Sequence, residues 1–207
     1  AFTSSTDLDA NDTDPDGDSL SVTAGTFATT EGGSLELAGD GSYTYTPAAD
    51  FNGADTVDYT VTDGALTDTG TLTITVNAVN DAPELSAAGS TLAYSEDDAA
   101  TVIDASLTIA DVDDTDIESA SITISSGYRS SEDVLAFTNI ASIIGAWDSG
   151  TGVMTLTGTS SNGWYETALE SITYQNTNTD DPNNDDRTIT WVVNDGTGNS
   201  SGVTSTI

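Results

Sequence analysis

The chain has no cysteine and no histidine, and only two of its 207 residues are Lys or Arg. Without cysteine there are no disulfide staples, no thiolate nucleophile and no zinc thiolate site. Without histidine there is no Ser-His-Asp triad and no imidazole base near neutral pH. The scarcity of cations against 35 Asp and Glu leaves a net charge of -33. That balance excludes nucleic acid and anionic membrane surfaces as partners, since both are held by Lys and Arg. No stretch approaches a membrane span, and no basic-then-apolar leader opens the chain. It starts abruptly in "AFTSSTDL", the expected look of a fragment of something longer. Paired carboxylates could in principle make a glycosidase. Here each acidic cluster falls in a turn crowded with like charge, and nothing singles out one raised-pKa acid, so catalysis is not expected.

The segments between the acids alternate Ser or Thr with apolar residues: "LSVT", "SYTYT", "TLTITV", "ASITI", "RTITWVV". A period of two with β-branched and aromatic residues predicts half-buried strands. Gly, Asn and Asp clusters interrupt them at short intervals, the signature of an all-β sandwich. The one helical hint is "YETALESI" at 165–172.

Length fits one large domain or two of about 100 residues each, and the sequence favours two. "DTDPDGDSLSVTAG" matches "DVDDTDIESASITISSG", "LELAGDGSYTYTP" matches "IIGAWDSGTGVMTLTG", and "VDYTVTDG" matches "ITWVVNDG", in the same order. Three ordered landmarks predict two copies of one architecture, the second with longer loops. Strand pattern stops in "VNAVNDAPEL", so the expected division is a first domain over 1–78, a linker over 79–83 and a second domain over 84–207. By this comparison the first domain lacks its first strand, and the second its exit linker.

A chain this acidic repels itself unless positive charge offsets it, and metal cations are the obvious source. Most carboxylates are expected to be solvated surface; a minority at turns are candidate ligands. Calcium takes six to eight oxygens, mostly carboxylate, carbonyl and amide. Asp12, Asp14, Asp16 and Gly17 sit at positions 1, 3, 5 and 6 of an EF-hand loop. Position 12 of that loop needs a bidentate Glu, where Thr23 stands, and a strand pattern follows where a helix is required. An EF-hand is therefore excluded, and so is the Gly-Gly-x-Gly-x-Asp nonapeptide repeat. What remains is an acidic turn at one end of a sandwich. Alternate loops of antiparallel strands share an end, so Asp63 is expected near Asp14 and Asp16, and Asp195 near Asp111 and Asp113, with Asn80 and Asp81 entering there too. Against each stands plain turn chemistry, in which Asp and Asn bond their own backbone. At Asp40-Gly41 the turn reading prevails.

"ANDTDPDGDSL", "GDGSYTYTP", "DFNGADTVDYTVTDG" and "VNDAP", with "DVDDTDIESASITI" and "ITWVVNDG" in the second half, resemble the cadherin-like tandem repeats of large bacterial repeats-in-toxin (RTX) adhesins. The resemblance implies two tandem immunoglobulin/cadherin-like Greek-key β-sandwich domains, a calcium-rigidified extender in a secreted cell-surface adhesin, and type I secretion. It implies calcium (Ca2+) as the cofactor and neighbouring repeats of the same chain as partners. The segment is expected to be monomeric and not to carry the adhesin's own ligand. By the same resemblance Asn80 and Asp81 match the central Asn-Asp of a calcium linker whose first Asp is replaced by Ala78. Asp111, Asp113 and Asp195 match ligands of the following domain. Glu96, with Asp97, matches the Glu-bearing motif at the far end; Asn52 and Asp55 partly replace its counterpart in the first domain. Asp14, Asp16 and Asp63 form half of a further site.

The alternative is a calcium-dependent carbohydrate- or protein-binding module, for which an exposed Trp147–Trp164 pair would serve as a stacking platform. Asp180, Asp181, Asp185 and Asp186 offer a second candidate site, and Arg187 is expected to pair with one of them. Tyr59 and Trp191 occupy matching strand positions and are expected in the core.

Overall fold

The computed structural model describes residues 1–4, 7–86, 89–95 and 97–207. The chain divides into two compact units, Ala1–Val79 and Asn80–Ile207. Their regular structure is almost all strand.

Unit 1 contains β1 (Phe2–Ser4), β2 (Ser21–Val22), β3 (Gly25–Ala28), β4 (Ser34–Leu37), β5 (Tyr43–Thr46), β6 (Gly53–Thr62) and β7 (Thr67–Val76). They form two sheets, ordered β1-β5-β4-β3 and β2-β6-β7, with every pairing antiparallel. The chain crosses between sheets after β1, β2 and β5, and β1 lies beside β5, which is Greek-key connectivity. Alternation places Leu35 and Leu37 of β4 and Val57 and Val61 of β6 inward, where they pack with Val22 and Tyr45. The two sheets thus face each other across one small core. The long β6–β7 hairpin needs Gly70, because a Cβ there would lie 2.5 Å from the ring of Tyr59, its cross-strand partner.

Unit 2 contains β8 (Glu84–Ser86), β9 (Thr101–Val102), β10 (Thr108–Ala110), β11 (Asp116–Ser126), β12 (Asp133–Ala136), β13 (Ile144–Asp148), β14 (Val153–Ser161), α1 (Asn162–Glu170), β15 (Thr173–Asn176), β16 (Thr188–Asn194) and β17 (Val203–Thr206). A five-stranded sheet, β13-β14-β11-β16-β17, faces a three-stranded one, β12-β15-β9, and β8 pairs with β10. In β16 strict alternation sends Ile189, Trp191 and Val193 into the core. Trp191 is fully buried and its indole donates to Ser205 Oγ at 3.0 Å. The expected helix forms because Tyr165, Ala168 and Leu169, spaced for one helical face, bury against the sheet. Its Glu166 Oε1 accepts the β10 amide of Ile109 at 2.8 Å.

The internal repeat is real, but one landmark was mismatched. β2 with β6 and β11 with β16 correspond, as do β7 and β17. The hairpin β13–β14, however, extends the sheet of β11, whereas β4–β5 belongs to the opposite sheet of unit 1. The counterpart of β5 is β15, and that of β4 is β12. Each of the two central strands sends a tyrosine hydroxyl to a buried aspartate: Tyr45 to Asp55 at 2.8 Å and Tyr174 to Asp133 at 2.7 Å. β13, β14 and α1 are therefore an insertion between the counterparts of β4 and β5. A glycine-aspartate turn marks a hairpin locally but carries no information about which sheet the hairpin joins.

Candidate metal-binding loops

At one end of unit 2, three segments are tied together by polar contacts: the entering residues 80–83, the acidic turn 111–116 before β11, and the turn 195–198 after β16. Asn80 Nδ2 donates to Asp195 Oδ2 at 2.9 Å and to the Asp81 carbonyl at 2.8 Å. The Asp81 amide is shared between both carboxylate oxygens of Asp113, at 3.3 Å each. The amides of Asp113 and Asp114 donate to Asp111 Oδ1 at 3.2 and 3.1 Å. Asp195 is buried, and its Oδ1 accepts the amides of Thr197 and Gly198 at 2.6 Å each. Burial alone would raise the Asp195 pKa; the Gly198 amide and Asn80 outweigh it and hold the carboxyl below its ordinary range. Gly198 is needed for the close approach of the entering chain, since a Cβ there would lie 3.1 Å from that of Ala82.

One oxygen in this network is not accounted for. Asp111 Oδ2 is buried and accepts no hydrogen bond. A buried carboxylate oxygen without a donor costs the folded state more than a neutral acceptor would, because ionised groups lose the most solvation. Asn162 Oδ1 is a second buried acceptor without a donor, and the Asn162 amide donates to the carbonyl of Thr115 in the same acidic turn. Sequence reasoning missed Asn162, which no acidic motif surrounds. The donor types here, carboxylate and amide oxygen with no nitrogen or sulfur, suit a hard cation such as calcium. Among the described residues no three carboxylates converge as a ready cage. Asp81 and Asp113 are exposed.

In unit 1 the corresponding loops are less engaged. Asp14 Oδ1 accepts the amides of Asp16 and Asp18 at 2.8 and 3.1 Å, and Asp63 Oδ1 those of Ala65 and Leu66 at 2.7 and 2.6 Å. The Leu66 and Ala65 amides lower the Asp63 pKa. Asp12, Asp14 and Asp63 line one groove of about 480 Å³ whose floor includes Leu20, Tyr59 and Val61; Asp16 is not part of its lining. Tyr59, unlike Trp191, is only partly buried.

The remaining candidates differ in kind. Asn52 is exposed just ahead of β6. Asp55 is 1 % exposed and has a full complement of internal donors: Thr29 Oγ1, Thr30 Oγ1, the Tyr45 hydroxyl, and the amides of Glu31 and Thr56. Burial would raise its pKa, yet Thr29, Glu31 and Tyr45 pull it down to about 2. Gly33 makes room for this cluster, as a Cβ there would lie 2.9 Å from Thr29 Oγ1 and 3.1 Å from Asp55 Oδ2. Asp55 thus serves as an internal post, with its lone pairs already occupied. Glu96 lies outside the described residues; Asp97 is exposed and adopts a positive φ of 66°.

One further expectation needs correction. Arg187 does not pair with the carboxylates of its own loop. It is buried against Asp133 at 3.1 Å and Glu132 at 3.8 Å, while its Nη1 donates to the carbonyls of Asn183 and Asp185. The Asp185 carboxylate instead meets Arg129 at 2.9 Å. The two tryptophans do not form the exposed pair that the alternative reading needs: Trp147 is partly buried against the core, edge-on to Tyr128 at 6.1 Å, and Trp164 is exposed on α1. Asp133, and Asp104 with its donors Ser106 and Ser205, are structural carboxylates that no acidic-turn motif marks.

Residues 1–78 match the family model of the bacterial cadherin-like domain. Over 123 residues, 56% of its length, the chain is 37% identical to halomucin of Haloquadratum walsbyi, and it spans 1% of that protein. Solved structures that align with the chain include the cis-dimer of protocadherin gammaB7, at 15% identity and a TM-score of 0.39, over 91% of this chain and 38% of that one. The human desmocollin-1 ectodomain aligns at 16% identity and a TM-score of 0.36, over 93% and 35%. Domains 4 and 5 of the S-layer protein SbsC align at 17% and 0.29, over 83% and 64%.

Proposed function

We propose that the chain is a non-catalytic spacer within a large secreted surface protein of the bacterial adhesin type, stiffened by calcium at the loops where its second domain begins. The observation that carries this reading is the buried, donorless Asp111 Oδ2 inside a network that already ties Asn80, Asp81, Asp113 and Asp195 together. These five residues would hold the ion, and Asn162 stands beside the same turn. Calcium would supply positive charge to a cluster of like charges and join three loops that otherwise rest on amide contacts. The match of residues 1–78 to a cadherin-like domain supports the extracellular spacer role. So does the likeness to a protein named halomucin. No described helix is long and apolar enough to cross a membrane.

The test is calcium titration of the whole chain, followed by small-angle scattering and thermal unfolding. A ligand at a hundredfold excess over its Kd adds about 2.7 kcal/mol to the state that binds it. For a domain of this size that is a rise in Tm of about 8–10 °C. Chelator should remove the gain and broaden the scattering profile. Magnesium should restore little, because it demands a small octahedral site and keeps its water. Asp111→Asn should weaken the calcium response at least tenfold while leaving the Asp113 and Asp114 amides an acceptor. A scattering profile unchanged by calcium would end the spacer reading.

A further inference from the structure

The two buried, donorless side-chain oxygens of unit 2, Asp111 Oδ2 and Asn162 Oδ1, come from different elements. Asp111 opens the acidic turn after β10, and Asn162 is the first residue of α1, within the insertion. The fold brings them to one place. Glu166 Oε1 accepts the Ile109 amide at 2.8 Å, so α1 lies against β10 at that point. Asn162 stands four residues before Glu166, on the same helix face and about 6 Å nearer the helix start. Asp111 stands two residues beyond Ile109, about 7 Å along the strand. Both steps run the same way. The Asn162 amide donates to the Thr115 carbonyl at 3.1 Å, and Ser161 pairs with Asp116, which sets the start of α1 at the acidic turn. Helical side chains tilt toward the N-terminus, so the Asn162 carboxamide is aimed at that turn.

Two neighbouring buried acceptors need a partner that donates or is positive. No side-chain cation of the chain supplies it. Arg129 is engaged with Asp185, and Arg187 with Asp133 and Glu132, and these are the only two basic residues. A bridging water can donate to both oxygens, as buried waters commonly do. Water, however, leaves the Asp111 charge uncompensated in a turn that also carries Asp113, Asp114 and Asp116. A divalent cation offsets that charge and satisfies both oxygens at once. Carboxylate with amide oxygen is a combination that calcium takes. The positive end of α1 opposes a cation, but that effect is weak and confined to the first turn.

We infer that Asn162 Oδ1 is a ligand of the ion held by Asp111, so that the inserted helix is fastened to the loops where unit 2 begins. This ligand role rests on the calcium reading above and extends it to α1, an element that belongs to the insertion and to no acidic motif. The neutral amide also tunes the site. It supplies an oxygen without adding a further negative charge to a turn that already holds four aspartates.

The experiment is calorimetric calcium titration and thermal unfolding of the full chain and two variants. Asn162→Ala should weaken calcium binding about tenfold or more. Without calcium it should melt no lower than the unaltered chain, since it removes an acceptor that has no donor. Asn162→Asp adds a charged ligand and should tighten calcium binding about tenfold, because ligand charge sets the affinity of such sites. The unaltered chain gives an independent measurement. Calcium should slow amide exchange at Asn162 at least tenfold more than at Glu170, at the far end of α1, which separates a local tie from general stabilisation. Should Asn162→Ala fail to fold, Asn162→Asp and the exchange measurement decide the matter. Calcium affinity within about twofold of the unaltered chain in either folded variant would overturn the ligand role. If Asp111→Asn still weakened the calcium response, the spacer reading would stand without it. A lower calcium-free midpoint for Asn162→Ala, with calcium affinity unchanged, would assign the two oxygens to a bridging water. No calcium binding by the full chain would overturn both readings together.

Discussion

Asp55→Ala should unfold unit 1, or nearly so, and leave unit 2 intact. The carboxylate is 1 % exposed and receives five donors, of which the Tyr45 hydroxyl and Thr29 Oγ1 belong to buried residues. Removing it strands both; each buried donor left unpaired costs roughly 1–3 kcal/mol, for a total of about 2–6 kcal/mol. Small domains have about 0.05–0.15 kcal/mol of stability per residue, about 4–12 kcal/mol for a unit this size, so the loss is a large share of the whole. Asp55→Asn isolates the charge. The native carboxyl has its pKa lowered from the ordinary 3.8 to about 2. It therefore contributes stability that is fully present above about pH 4 and is lost as pH falls through about 2. The amount is on the order of 2 kcal/mol, and the Asn variant should lack that pH dependence. Urea unfolding separates the units, because Trp147, Trp164 and Trp191 all lie in unit 2 and unit 1 has no tryptophan. Tryptophan fluorescence should show an unchanged midpoint, while far-UV circular dichroism should lose the unit 1 transition. With a urea slope of about 1 kcal/mol/M, the midpoint of unit 1 should fall by about 2–6 M. A shift below about 1 M, or an equal shift in the tryptophan signal, would refute the assignment of Asp55 as the post of unit 1.

Asp81→Ala should weaken calcium binding at least tenfold, and Asp40→Ala should leave it within about twofold. Asp40 only caps its turn, accepting the amide and hydroxyl of Ser42 at 3.1 and 2.7 Å. Equal losses measured by calorimetric titration would mean that turn chemistry had been mistaken for ligation. Raising NaCl from about 0.1 to about 1 M shortens the screening length from about 10 to about 3 Å. With a net charge of -33, both unfolding midpoints should then rise, and a flat or falling response would show that the carboxylates are already neutralised within the fold.

The strands were legible in the sequence because each acts through its own alternation. "RTITWVV" and "TLTITV" declare β16 and β7 without reference to any neighbour. The contacts at the start of unit 2 were legible for a related reason: short polar turns of Asn and Asp collect at the ends of antiparallel strands, and Asn80 bonds Asp195 while the Asp81 amide bonds Asp113. The buried carboxylates escaped because their partners are remote. Asp55 depends on Thr29 and Tyr45, Asp133 on Tyr174 and Arg187, and Asp104 on Ser205, across separations of 10 to 101 residues. A signal was nonetheless present. Asp55 is in phase with Val57 and Val61 on β6, and Asp133 is in phase with Leu135 on β12, so period-two alternation already turned both inward. An aspartate out of phase with the apolar residues is solvated and able to take a cation. An aspartate in phase with them is desolvated, and folding must surround it with donors before it can stay charged. In a chain with 35 acids, phase relative to the core marks the posts Asp55 and Asp133 that clustering passes over, while Asp195, in phase with Ile189, Trp191 and Val193, is buried like them. That is why "DFNGAD" resembled another metal loop while its last aspartate holds two sheets together.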